Sequence, residues 1–135
     1  MPHLIVEMSG TVALSIDSDG LCEALHEGMV ETGVFPLEGI RVRAYRADAC
    51  AIADGHVKNG FVAMTLVVGH GRTKVVLAAA GETVFTAAKR YLSDWLGDQY
   101  FGLSLEIREI DPELTWKANT IRPRLLAAKG TEEKA

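Results

Sequence analysis

One order of residue patterns occurs twice along this chain, and that repetition most narrows what the chain can fold into. His3 to Met8 is an almost unbroken apolar run that reads as a strand covered on both faces. Asp17, Ser18 and Asp19 then offer N-cap oxygens to a helix carrying Leu21, Leu25, Met29 and Thr32 at helical spacing. Gly33 is placed to close that helix in the left-handed conformation, and Pro36 stops its continuation. From Gly39 to Tyr45 the residues alternate strictly, with Ile40, Val42 and Ala44 on one face and Arg41 and Arg43 on the other. The order then returns. Phe61 to Val68 is an apolar strand, and Gly69-His70-Gly71-Arg72 is a tight loop. Thr73 to Leu96 reads as one long helix with Leu77, Ala80, Val84, Ala88, Tyr91 and Trp95 along a stripe, and Leu103 to Ile107 alternates again.

A β-α-β crossover makes its two strands parallel and right-handed. Two such units side by side predict an α+β fold, a four-stranded sheet with both helices on one face. No further helix of size is expected, so the other face of the sheet is expected to be covered by another copy of the chain. Ser9 to Ser15 reads as a loop. Asp48 to Gly60 reads as irregular, with Asp54-Gly55 and Asn59-Gly60 as turns. Leu114 to Ile121 reads as a short extra strand reaching a neighbouring copy. Residues 1–128 form a single domain in this reading, followed by a charged, flexible tail at 129–135.

Composition excludes several classes of function. The chain has 135 residues, of which 48% are apolar and 24% charged, the balance of one globular domain with a real core. Its net charge of -4 argues against a nucleic-acid surface. No apolar run is long enough to span a membrane, and Glu7 interrupts the only apolar run near the N-terminus, which also lacks the basic flank of a signal peptide. A cytoplasmic location is the expectation. Cys22 and Cys50 are too few and too far apart for a disulfide framework or a zinc site, and both read as core filler.

The candidate chemistry begins at Pro2. A small second residue lets the processing aminopeptidase remove Met1, which would leave a secondary amine joined directly to a buried strand. Burial and nearby cations favour the neutral form of such an amine, so it can accept a proton and return it. Arg41 and Arg43 project from the same strand face and could grip carboxylates in two-point hydrogen bonds; a solvated face or an intersubunit salt bridge is the alternative. Gly69-His70-Gly71-Arg72 resembles an anion cradle before a helix N-terminus, or a plain tight turn, and it lacks the Gly-Lys-Ser/Thr ending of a Walker loop. His3, His26, His56 and His70 show no metal-like pairing, so no metal site is expected. Trp116 could wall a pocket or simply pack, and packing is the expectation.

Several segments together resemble the 5-carboxymethyl-2-hydroxymuconate isomerases of the tautomerase superfamily. They are Met1-Pro-His-Leu-Ile-Val-Glu7, Gly33-Val-Phe-Pro-Leu-Glu-Gly-Ile-Arg-Val-Arg43, Ala53-Asp-Gly55, Phe61-Val-Ala-Met-Thr-Leu66, Gly71-Arg72 and Trp116-Lys-Ala-Asn119. The resemblance implies a tautomerase-like homotrimer and a cofactor-free keto–enol isomerase acting on a small polycarboxylate. It assigns Pro2 as the general base and acid, with Arg41 and Arg72 as the leading carboxylate binders and Arg43 as a weaker one. Residues 8–11, much of the first helix and the tail depart from the family pattern. Those departures leave open a tautomerase for another 2-oxo acid such as phenylpyruvate, or a non-catalytic binding protein on the same fold.

Overall fold

The computed structural model describes residues 1–134, with side chains described through Lys129. Strand β1 (His3–Met8) leads through a single helical turn, α1 (Gly10–Ala13), to helix α2 (Ser18–Glu31). A 3-10 turn at Leu37–Gly39 delivers strand β2 (Arg41–Arg46), and strand β3 (Gly60–Val68) begins the second half. Helix α3 (Lys74–Tyr91), the short α4 (Ser93–Leu96), strand β4 (Phe101–Glu109) and helix α5 (Ile121–Lys134) complete the order.

The four strands lie in the order β2-β1-β3-β4. Within each β-α-β unit the strands are parallel, and the two units join antiparallel through β1 and β3. Alternation along the strands then divides the sheet into two faces. Leu4, Val6 and Met8 of β1 and Val62, Met64, Leu66 and Val68 of β3 are buried beneath the helices. They meet Leu21, Leu25 and Met29 of α2 and Leu77, Ala80, Val84 and Ala88 of α3 in one core. Burying each large aliphatic side chain there contributes about 1.5–3 kcal/mol.

The opposite face is open in the single chain. The register lines up Arg41, His3, Val67 and Arg108 in one row and Arg43, Ile5, Thr65 and Glu106 in the next. Strand β1 is therefore covered on one side only: Ile5 is half-buried and Glu7 exposed. Its unbroken apolar run misleads because Ile5 sits on the open face.

Other expectations need correction. Residues 9–15 are not all loop, because Val12 turns fully into the core and draws Gly10–Ala13 into a helical turn. Asn59-Gly60 is not a turn: Gly60 opens β3, where an added Cβ would lie 2.6 Å from Val12 Cγ2. The second helix does not run unbroken to Leu96. It ends before Leu92, whose φ of -100° and ψ of 20° bend the chain. The bend buries the Leu92 side chain fully and brings Trp95 against Phe101, ring centroids 5.8 Å apart. Asp17 stands at the N-cap of α2 but makes no side-chain cap; its carbonyl accepts from Leu21 N and from the Tyr91 hydroxyl, each at 3.0 Å.

The C-terminal quarter differs most. Leu114 to Ile121 is not a strand: Pro112–Leu114 is a 3-10 turn, and α5 begins at Ile121. Asn119 Oδ1 accepts from Ile121 N at 2.9 Å, which starts that helix. A third sizeable helix thus exists where none was expected, because its weak apolar stripe gave no periodic signal. Trp116 does not pack within the chain and is 86% exposed. Cys50 is also exposed and is not core filler. The tail at 129–135 falls mostly on side chains outside those described. Gly33 does take the left-handed conformation expected of it, with φ of 70°.

Candidate active site at the chain start

Pro2 immediately precedes β1, and the sheet itself fixes it. Its carbonyl accepts from Arg41 N at 2.9 Å, which extends the β1–β2 ladder back by one residue. Pro2 is buried, and Gly39 lies directly beside it. The chain start is therefore held as firmly as a strand interior, unlike most termini.

A cleft of about 480 Å³ opens over this point, lined by Met1, Pro2, Gly39, Gly69, Arg72 and Lys117 among others. Its lining comes from four places: the chain start, the 3-10 turn before β2, the turn after β3, and the segment that leads into α5. The terminal amine of Met1 is held below its ordinary 8.0. Burial is the largest cause, followed by the charges of Lys117, Arg72 and Arg41 and by a hydrogen bond from the Lys117 ammonium. Each of these disfavours a further positive charge at the chain start.

Arg72 is fixed by its neighbours. Its Nε and Nη2 donate to the Val34 carbonyl at 3.3 and 3.1 Å, and its guanidinium lies 4.9 Å from the Phe35 ring centroid. No described carboxylate pairs with it. A planar cation so held is preorganised for an anion. Gly71, at φ of 119°, makes the turn that aims this residue. The first turn of α3 is already capped, since Thr73 Oγ1 accepts from Val76 N at 3.2 Å. The charge in this loop is therefore the arginine more than the helix end.

The other two arginines occupy different ground. Arg41 borders the chain start: Nη2 lies 3.6 Å from Met1 Sδ, while Nη1 donates to the carbonyls of Glu38 at 2.8 Å and Ile40 at 3.2 Å. Neither arginine is among the residues lining the cleft, and Arg43 Nη1 lies 2.9 Å from His3 Nδ1 on the open sheet face. Pro2 and Arg72 are thus brought together, Arg41 sits at the margin, and Arg43 stands apart within one chain.

Sequence reasoning missed Lys117, Asn119 and Arg122 as site residues. Asn119 Nδ2 donates to the Glu38 carbonyl at 3.3 Å, and Arg122 Nε lies 3.7 Å from Glu38 Oε1. These contacts tie the segment before α5 to the turn beneath Pro2. Trp116-Lys-Ala-Asn119 carried a motif signal, but Arg122 lay on a helix the sequence did not reveal. Among the described residues no group of His, Cys, Asp and Glu could hold a metal ion. None of the described helices is long and apolar enough to cross a membrane.

The sequence model of the 5-carboxymethyl-2-hydroxymuconate isomerase family matches residues 2–125, from the cleft's proline to the start of α5. The chain belongs to that family. A curated relative, 5-carboxymethyl-2-hydroxymuconate Delta-isomerase of Escherichia coli, is 36% identical over 121 residues, covering 90% of this chain and 96% of that one. The crystal structure of a 5-carboxymethyl-2-hydroxymuconate isomerase from Deinococcus radiodurans R1 superposes with a TM-score of 0.84 at 30% identity. It covers 92% of this chain and 93% of its own. A fused 4-OT symmetric trimer shares the fold at 21% identity, with a TM-score of 0.63 over 87% of this chain and 92% of its own. The protein is an isomerase of the 5-carboxymethyl-2-hydroxymuconate isomerase family with the tautomerase fold.

Proposed function

We propose that the protein, with Met1 removed, converts 5-carboxymethyl-2-hydroxymuconate to 5-carboxymethyl-2-oxo-3-hexene-1,6-dioate, as part of the breakdown of an aromatic acid. The observation that carries this reading is a buried proline at the start of a strand, set in one cleft with Arg72. Loss of Met1 would expose the Pro2 amine beside the same cations that surround the terminus, and their charges disfavour its protonated form. Its nitrogen takes the proton of the 2-hydroxyl, and the electron pair moves through the conjugated system toward C5. The same nitrogen then delivers that proton to C5, leaving the 2-oxo group and the C3–C4 double bond. One nitrogen both takes and returns the proton, so in this reading the chain's own residues supply the whole step. Arg72, with Arg41 at the margin, stabilises the enolate-like charge and holds carboxylates.

The active form in this reading is a trimer. Ile5, Phe61, Ala63 and Val67 on the open sheet face are half-buried in the single chain, and a neighbouring copy would complete their burial. Whether Arg41 and Arg43 serve their own chain's cleft or a neighbour's follows from that packing. Sedimentation velocity at micromolar concentration tests the assembly, and a monomer there would refute it.

The ultraviolet decay of the dienol substrate, with and without protein of verified N-terminal mass, tests the chemistry. Chains beginning at Pro2 are expected to reach a kcat/KM of about 10⁴ M⁻¹s⁻¹ or above. Pro2→Ala is expected to keep the fold and lose most of that rate. Wild-type turnover in Pro2→Ala would end the mechanism. Absence of decay with wild type shown to begin at Pro2 would discard this substrate in favour of smaller 2-oxo acids.

A further inference from the structure

The cleft at the chain start does not end at Lys117. A second cleft of about 350 Å³ adjoins it, lined by Gly69, His70, Ile110, Pro112, Thr115 and Lys117. Gly69, His70 and Lys117 line both. The two spaces form one trough that runs from Pro2, past the end of β3, toward the end of β4. Lys117 stands where they meet.

The charges along this trough are unevenly committed. His70 Nδ1 lies 3.4 Å from Glu109 Oε2, and Arg122 is 3.7 Å from Glu38 Oε1, so both already face carboxylates. Arg72 faces a carbonyl and a ring but no described carboxylate. Lys117 likewise has no described carboxylate partner, and the group its ammonium meets is the terminal amine. Among the described residues Arg72, Lys117 and Arg41 all act on the amine without a carboxylate partner, and of these only Arg72, on the turn after β3, and Lys117, before α5, line the cleft. Lys117 owes its place to the Asn119–Glu38 hydrogen bond two residues on, which pins an otherwise irregular segment over Pro2.

We infer that Lys117 is a substrate-binding residue, whose ammonium holds a carboxylate remote from the one on Arg72 and so selects elongated di- and tricarboxylates over short 2-oxo monoacids. The inference rests on the proposed reaction for its substrate class and deepens it. A monoacid is satisfied by Arg72 alone. A triacid spans the trough, and its second anionic group sits at the junction where a flexible, strongly hydrated cation can follow it. When the Met1 residue is gone, the space it occupied passes to the ligand, beside the same ammonium.

The test uses the full, processed chain and tricarballylate, a tricarboxylate that cannot isomerise. Titration calorimetry is run on wild type, Lys117→Gln and Lys117→Arg. Wild type is expected to bind, Lys117→Gln to bind about tenfold more weakly, and Lys117→Arg to stay within about threefold. In turnover with the triacid dienol, at a pH where the amine is neutral, Lys117→Gln is expected to raise KM about tenfold and to leave kcat within about twofold. Unchanged tricarballylate affinity in Lys117→Gln, or no binding by wild type, would overturn the inference. Lys117-dependent binding without any turnover of the dienol would support it while removing the proposed substrate, so the two readings fail separately.

Discussion

Gly39 and Pro2 are in such close contact that a Cβ built on Gly39 would lie 3.1 Å from Pro2 Cδ and 3.4 Å from Met1 Cα. The 3-10 turn before β2 thus forms the wall against which the proposed base rests. Gly39→Ala is expected to keep the fold and push the proline ring aside by a few tenths of an ångström. Because proton transfer depends steeply on placement, kcat should fall by about tenfold, with little change in thermal midpoint. Circular dichroism melting beside a turnover assay separates the two, and an unchanged kcat would show that the ring has slack.

Arg72 combines a structural and an electrostatic role, and substitution can divide them. Arg72→Ala removes the charge and both hydrogen bonds to the Val34 carbonyl. We expect kcat/KM for a carboxylate substrate to fall by about 10- to 100-fold, as for loss of a charge-assisted contact. Arg72→Lys keeps the charge but not the fork, and should recover only part. If Arg72→Ala retains wild-type kcat/KM, the residue does not touch substrate.

His3 makes stability depend on pH. Arginine can only donate, so His3 Nδ1 accepts from Arg43 and the neutral ring carries its proton on Nε2. Burial first, then the charges of Arg43, the terminal amine and Arg41, hold its pKa below 6.5. The unfolded chain therefore binds the proton more readily, and stability rises with pH between the lowered folded value and the unfolded one. The contribution is fully present above about 6.5 and is lost as pH falls through the window beneath it. Urea unfolding at fixed protein concentration across pH 5 to 8 reads this directly. His3→Gln should flatten that part of the profile, and an unaltered slope would point to other groups.

Leu92 is expected to be the most sensitive point of the second helix. It is fully buried at the bend between α3 and α4. Leu92→Ala should cost about 2–5 kcal/mol through lost burial and the cavity left behind. Chemical denaturation measures this, and a cost under about 1 kcal/mol would mean that α4 can settle into the space.

The main architecture was legible because its signals are local. Alternation in 40–45, helical spacing from Leu21 to Met29, and Gly33 with Pro36 each state a period or a stop that the backbone obeys. Their repetition then leaves few topologies for the sheet. The end of α3 was less legible, because helix propensity continues through Leu92 while the core draws its side chain inward. Helix α5 was not legible: its apolar stripe is weak, and it is tied to the rest of the fold by long-range contacts such as Arg122 with Glu38.

For the site the division is similar. By itself the sequence determined that a proline adjoins a buried strand, that two arginines share one face of another strand, and that a Gly-rich turn carries a third. Periodicity and residue type are enough for those statements. Only the tertiary structure decided which of these meet. Arg72 reaches the cleft of Pro2, whereas Arg43 turns to His3, because the parallel β1–β2 register sets Arg43 beside Ile5, one row away from the chain start. Lys117 enters the cleft on a segment that Asn119 ties to the carbonyl of Glu38, 81 residues away, and such a long-range pairing leaves no period in the chain to read.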